Sequence, residues 1–331
     1  MKDLLEEIQD LYKWLVKFVT VDIWRLNLNN LSNARSKLIK YLKVAIITAR
    51  EANLNRIGLY AFSFSFFSTM AMVPFAAVAF AVTEGFGLKE TLQSLLLEYF
   101  SENKEIVQLI IGFAENIVST SQQDAFGIIG LVGFIGTILW LILKIEQCFN
   151  LIWKAERGRS IAKRFLYYFG LLIIAPLVIT MFLSVTLVFT NTLNSIGLDF
   201  LNLKLAGFVI RWLGFYGIMT LFFTILYKYV PNVKVKFNAA FYAALISAGA
   251  FVGLQYLYME TQLLVSRLNS VYGAFAAIPL FLTWMNMSWT IILAGAEISH
   301  AYQYVELYTS DDDYKKLEKE VIEKINMNER N

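Results

Sequence analysis

Cysteine and histidine are almost missing from this chain: Cys148 and His300 are the only examples in 331 residues. One thiol excludes an intrachain disulfide and a cysteine-built metal cage. One imidazole excludes the clustered His and Asp ligands of a two-zinc hydrolase. Charge is scarce too, at 17% of residues against about a quarter in ordinary soluble chains. The 29 basic and 26 acidic residues leave a net +3, too small for a nucleic-acid footprint unless the charge is segregated. No GxxxxGK[ST] run occurs, so ATP hydrolysis by a P-loop is excluded. What is abundant is apolar: 57% hydrophobic, 15% aromatic and a mean hydropathy of +0.55. Such a chain is neither disordered nor provided with the polar surface of a soluble enzyme. It reads as a membrane protein.

A helix needs roughly 20 apolar residues to cross the hydrocarbon layer. Six stretches meet that requirement, near 57–82, 125–143, 169–191, 206–227, 237–258 and 273–302. The expected fold is therefore all-α and polytopic, with six transmembrane helices and amphipathic interfacial helices on both sides. The first long apolar run begins only after some 55 polar-to-amphipathic residues, which predicts a retained span and no cleaved leader. Basic residues fall unevenly: ten up to Arg56, five in 145–168, three after span four and five after Tyr302, or 23 on one side against 4 on the other. The positive-inside bias then places both termini in the cytoplasm.

Three regions follow: cytoplasmic amphipathic helices over 1–56, the membrane domain over 57–302, and a charged cytoplasmic tail over 303–331. Leu4, Leu5, Ile8, Leu11, Tyr12, Leu15, Val16 and Val19 recur at helical spacing, and a second basic helix is expected over 34–50. Within the membrane domain, 84–124 forms an extracytoplasmic insert with seven acids against two lysines. Leu88, Leu92, Leu95 and Tyr99, then Ile106, Leu109, Ile110, Phe113 and Ile117, predict two short amphipathic helices there.

Several side chains carry the candidate chemistry. Pro74, Pro176 and Pro279 fall within spans, where each would kink its helix and shape a central cavity, or merely bend it to pack. Ser65, Ser68 and Thr69 share a face of span one and offer a polar path, unless they bond their own helix carbonyls. Span three repeats the pattern with Thr180, Ser184, Thr186 and Thr190. Gly127, Gly130, Gly133 and Gly136 in span two, Ala240, Ala244 and Ala248 in span five, and the pair Gly249–Gly253 allow close helix approach. That serves packing within one subunit or a homo-oligomer. Glu297 lies in the last span, followed by His300 and Gln303, and a buried charge there is expensive and usually paired, whether it serves a substrate site or only interfacial anchoring and salt bridges. Lys144, Glu146, Arg56 and Glu51 lie near the cytoplasmic ends of spans. The loop WKAERGRSIAKR over 153–164 would attract anionic headgroups at about 1 kcal/mol per basic residue, or would simply set topology. The candidate headgroup contacts are Arg56, Lys144, Arg157, Arg159, Lys163 and Arg164.

These segments together resemble the YihY/BrkB family of bacterial envelope proteins, once labelled ribonuclease BN. The resemblance runs from about Arg50 to Gln303. It is carried by Ser68 to Pro74, by Phe149–Asn150–Leu151–Ile152–Trp153 with the basic loop, and by YKYVPNVKVKFNAA leading to VYGAFAAIPLFLTWMNMSWTIILAGAEISHA. Within the last run, Tyr272–Gly273–Ala274, Pro279, Trp284 and Gly295–Ala296–Glu297 are the family-like features. The resemblance implies a multi-pass protein of the bacterial inner membrane that supports envelope integrity and moves anionic phospholipid or a related lipid. It implies no cofactor and no catalytic residues. Membrane lipids are the expected partners, with no nucleic acid, and 88–117 is an expected docking segment for extracytoplasmic envelope proteins. Two alternatives remain open: a scaffold that transports nothing, and an ion or small-solute exporter using Glu297 and the hydroxyl faces. The ribonuclease label finds no metal-ligand spacing to support it.

Overall fold

The computed structural model describes residues 18, 23–26, 33–99, 104–123, 125–155, 158–195, 204–267 and 277–307. Among these, regular structure is entirely helical. After a single turn at Ile23–Arg25, the elements are α1 (Asn33–Leu54), α2 (Ile57–Gly85), α3 (Lys89–Tyr99), α4 (Lys104–Gln123), α5 (Ala125–Ile152), α6 (Ile161–Ser195), α7 (Lys204–Tyr229), α8 (Phe237–Arg267) and α9 (Ala277–Tyr304), closed by a 3₁₀ turn at Val305–Leu307. The basic helix expected over 34–50 is α1, and the two amphipathic helices of the acidic insert are α3 and α4. The helical pattern over residues 4–19 and the tail from 308 lie outside the described residues.

Six spans were expected; among the described residues four helices are long and apolar enough to cross a membrane. They are Ile57–Gly85, Val132–Ile152, Ala162–Met181 and Phe237–Thr261. The regions expected at 206–227 and 273–302 do form helices, but polar side chains dilute their described turns. In α7 these are Tyr216, Thr220, Thr224, Tyr227 and Lys228, and in α9 they are Thr283, Asn286, Ser288, Thr290, Glu297, Ser299 and His300. Much of this polarity is inward, since Thr220, Thr224, Ser288, Glu297, Ser299 and His300 are buried.

The bundle is organised about α2 and α9. Helix α2 packs on α9, α4, α5 and α6, while α9 also meets α1 and α8, and α8 pairs with α7. Alanines make the α8 contacts close: Ala239, Ala240, Ala243, Ala244 and Ala248 are buried on one face. The main core joins Phe64, Phe149, Ile152, Phe223, Tyr227 and Leu293 around that face. Large side chains point outward instead, among them Phe62, Phe66 and Met70 on α2 and Leu166, Leu171 and Ile174 on α6. In water this arrangement would be costly, and against lipid it is the expected one.

The two ends of the bundle differ. At one end, Ala77 and Phe80 of α2 receive Leu92 and Leu95 of α3, Ile111 and Ala114 of α4, and Leu183 of α6. Lys89 bridges Glu84 and Glu115 there, at 3.6 and 3.3 Å, and the hydrogen bond to Glu115 raises its pKa. Helix α2 closes at this end with Gly87 left-handed at φ +69°. The Leu88 and Gly87 N–H groups return to the carbonyls of Thr83 and Glu84, the glycine-capped ending that spares a Cβ its clash. At the opposite end α1 lies on α9 through Val44, Ile47, Ala301 and Val305. Arg56, Lys144, Lys154, Arg159 and Lys236 gather around this second end, called the basic end below.

Candidate functional site

Three glutamates are buried at the basic end: Glu51, Glu146 and Glu297, the last two each 1% exposed. A buried carboxylate is tolerable only when paired and hydrogen-bonded, so their partners define the site.

Glu146 is the best satisfied. It lies in the last turns of α5 and meets Arg159 Nη1 at 3.6 Å and Arg164 Nε at 3.3 Å. The Tyr168 hydroxyl donates to its Oε2, and Asn150 Nδ2 donates to Oε1 at 3.4 Å. Asn150 lies four residues on, hence on the same helix face, and its Oδ1 accepts the Asn232 N–H at 2.7 Å. Arg159 extends the network outward. Its guanidinium donates to the carbonyls of Tyr229 at 2.7 Å, Val230 at 3.0 Å and Pro231 at 3.4 Å. One planar fork therefore ties the α5–α6 loop, Glu146 and the α7–α8 turn together, geometry an ammonium could not reproduce.

The second cluster joins α1, the end of α5 and α9. Asn55 Nδ2 donates to Glu297 Oε1 at 2.7 Å. Glu51 pairs with Lys154 Nζ at 3.2 Å. Lys154 follows α5 in the left-handed region, at φ 50°. The Ala155 and Lys154 N–H groups return to the carbonyls of Asn150 and Leu151, the same helix ending as at Gly87 but with a lysine where glycine is favoured. Arg56, between α1 and α2, is left-handed as well, at φ 51°. His300, one turn beyond Glu297, packs edge-on to Trp153 at 5.3 Å between ring centroids, with Tyr304 at 5.1 Å. Just before Glu297, Gly295 brings three helices together. A Cβ there would overlap the Tyr227 hydroxyl from α7 and Ser247 Oγ from α8.

The candidate headgroup cations divide into two groups. Arg159 and Arg164 turn inward to Glu146, whereas Arg56, Lys144 and Lys163 are exposed, with Lys144 Nζ 3.2 Å from Gln147 Oε1. Arg157 lies outside the described residues. The candidate cavity residues divide similarly. Pro74 and Pro176 are interior to α2 and α6, while Pro279 occupies the first turn of α9, where no intrahelical hydrogen bond is lost. Ser65 and Thr69 donate to Phe62 and Ser65 carbonyls, and Thr180 and Ser184 donate to Pro176 and Thr180 carbonyls. Ser68 instead accepts from Trp289 Nε1 at 3.1 Å, linking α2 to α9. Gly130, Gly133 and Gly136 face open space.

Asn55, Tyr168 and Ser247 enter the site without having been singled out from the sequence, and Asn150 was named only within the stretch that carries the resemblance. The Glu146–Asn150 spacing was a usable signal, and Asn55 lies four residues after Glu51 and directly before Arg56. A surface cleft of about 240 Å³ opens beside the site, lined by Lys40, Lys236, Asn238, Ala239, Tyr302, Gln303, Val305 and Glu306. Gln303 fixes its wall, accepting from the Lys236 N–H at 2.7 Å and donating to the Lys234 carbonyl at 3.2 Å. Among the described residues, no three His, Cys, Asp or Glu side chains come together to hold a metal ion.

An apolar-faced helical bundle with its charges buried at one end is a multi-pass membrane protein. The Virulence factor BrkB family model matches residues 48–320, and the chain belongs to that family, the envelope-associated YihY/BrkB membrane proteins. It is similar to a UPF0761 membrane protein of Paraburkholderia xenovorans, 30% identical over 288 residues, covering 84% of this chain and 64% of that protein. Similar too are UPF0761 membrane proteins of Janthinobacterium, 31% identical over 78% of this chain and 59% of that one, and of Legionella pneumophila, 30% identical over 72% and 56%. The chain thus spans about three fifths of the length of these relatives. No solved structure matches it.

Proposed function

We propose that this protein moves anionic phospholipid or a related lipid across or out of the bacterial inner membrane, in support of the envelope. The observation that carries the reading is the cleft at the basic end. Its two lysines, Lys40 and Lys236, outnumber its one carboxylate, Glu306. Asn238 sits in the first turn of α8, where the helix dipole favours an anion. Exposed apolar side chains flank it, including Phe237 and Tyr242, so a headgroup enters while its chains stay in lipid. The exposed Arg56, Lys144 and Lys163 add further positive charge at this end. The basic end faces the cytoplasm in this reading, with both termini on that side.

The test is lipid movement in proteoliposomes, using fluorescent anionic and zwitterionic phospholipids and an impermeant quencher. Accelerated loss of inner-leaflet signal is expected, faster for the anionic probe and reduced to the zwitterionic rate by K40E/K236E. A rate equal to protein-free vesicles for both probes sinks the translocation reading. One observation favours a second reading, a scaffold docking through the acidic insert: Leu109 and Phe113 on α4 are 61% and 56% exposed. Site-specific photo-crosslinking from Phe113 distinguishes the two, a lipid adduct speaking against docking and a discrete protein adduct for it.

A further inference from the structure

Glu297 and Glu51 come from opposite ends of the sequence into one buried cluster, and the charges that bear on Glu297 are Glu51 and Lys154. Two carboxylates thus face one ammonium. Lys154 Nζ sits on Glu51, and Glu297 has only the neutral amide of Asn55, on Oε1. Its other oxygen, Oε2, is fully buried with no hydrogen-bond partner among the described residues. An isolated carboxylate oxygen in such surroundings costs several kcal/mol unless the group is neutralised. A bound proton removes the excess charge, and the Asn55 amide still donates to the carbonyl oxygen of the acid.

The remaining titratable groups fit this arrangement. Cys148 on α5 is buried and electrostatically linked to Glu297. His300 on α9 is buried between Trp153 and Tyr304. From α7 and α8, Tyr227 and Ser247 reach the preceding turn at Gly295 and bring no charge. From α2, the neighbours in the shared core are Ile57 and Ala61. Lys154 is the group that opens to water, with its side chain 55% exposed.

We propose that Glu297 is a proton-binding site, exchanging one proton with water at the basic end past Lys154. When Oε2 gains the proton, an O–H bond forms, hydronium loses it, and Glu297 no longer competes with Glu51 for Lys154. When the proton returns to water, Glu297 becomes a carboxylate and competes for Lys154. The ammonium is then shared between α1 and α9, and the α5 end that carries it is pulled between them. This gives the protein a proton-linked element whatever its cargo, and it does not rest on the lipid reading.

Infrared difference spectroscopy of the full chain in a carbonyl-free detergent tests it without any transport substrate. As pH rises from mildly acid to mildly alkaline, a carboxylic-acid C=O band is expected to disappear while a carboxylate band appears. E297Q is expected to abolish that pair and E51Q to retain it. N55L keeps the acid but removes its hydrogen-bond donor, so the band should move to higher frequency, which covers the case where E297Q does not fold. Wild-type and E297Q spectra that titrate identically, or a band indifferent to N55L, would overturn the proposal.

Discussion

Gly295 and Lys154 are the residues at which a single Cβ decides most. At Gly295 the first carbon of any side chain would occupy space held by Tyr227 and Ser247, both on other helices, so neither a rotamer change nor a shift of one element relieves it. G295A is expected to lower stability by about 1–3 kcal/mol through overpacking, despite alanine's better helix propensity. Thermal unfolding in detergent would show this, with S247A partly restoring the midpoint. At Lys154 the sign is reversed. A left-handed Cβ costs roughly 1–2 kcal/mol, and glycine avoids it as Gly87 does at the end of α2. Both K154A and K154G lose the ion pair to Glu51, so K154G should be the more stable by about 1 kcal/mol. Equal stabilities would mean that the turn is not strained. Neither effect was legible from residue type, since the sequence marks Gly295 only through the family resemblance and Lys154 only as a member of a basic run.

Arg159 acts on a whole element, because the α7–α8 turn has its carbonyls at 229, 230 and 231 satisfied by that one side chain. Removing it with R159A also strips Glu146 of an ion-pair partner. Breaking one side of a buried pair costs about 3–5 kcal/mol; the guanidinium is 18% exposed, so the lower end is expected. The element-level signature is local: amide exchange over 230–236 should quicken in R159A and R159K alike, while α3 and α4 keep their rates. Uniform acceleration would indicate global destabilisation instead. Here the sequence was half readable. Composition exposed a basic loop and placed it beside membrane helices, and the existence of α1, α3 and α4 followed from their periodicity. Which arginines point inward was invisible, because Glu146 lies in a different helix and one line of sequence has no depth. The spans at 206–227 and 273–302 went wrong for a related reason: apolar content cannot distinguish a wall facing lipid from a seam such as Ser288, Glu297 and Ser299 facing protein.

At the scale of the whole molecule, the segregation of charge is the most readable property and the one with the clearest test. Arg56, Lys144 and Lys236 lie at the end opposite Lys89 and its acidic partners Glu84 and Glu115. With Cys148 replaced by serine, single cysteines introduced at exposed Lys163 and at exposed Glu90 should label from opposite sides of intact inner-membrane vesicles, Lys163 from the cytoplasmic side. Labelling of both from one side would contradict the orientation taken from the basic residues. Cys148 itself is buried, so its removal gives a clean background.

The hydrogen bond between Asn55 and Glu297 spans 242 residues of chain. A ribosome adding about 5–20 residues per second needs roughly 12–50 s to make that stretch. During all of that time α2 can already occupy the membrane, with α1 beside it, without the helix they pack against. Synthesis of α9 is therefore also the moment at which this contact can close. A chain truncated before α9 keeps Glu51 and Asn55 without their C-terminal neighbour, a polar mark by which membrane quality control can tell an unfinished molecule from a finished one.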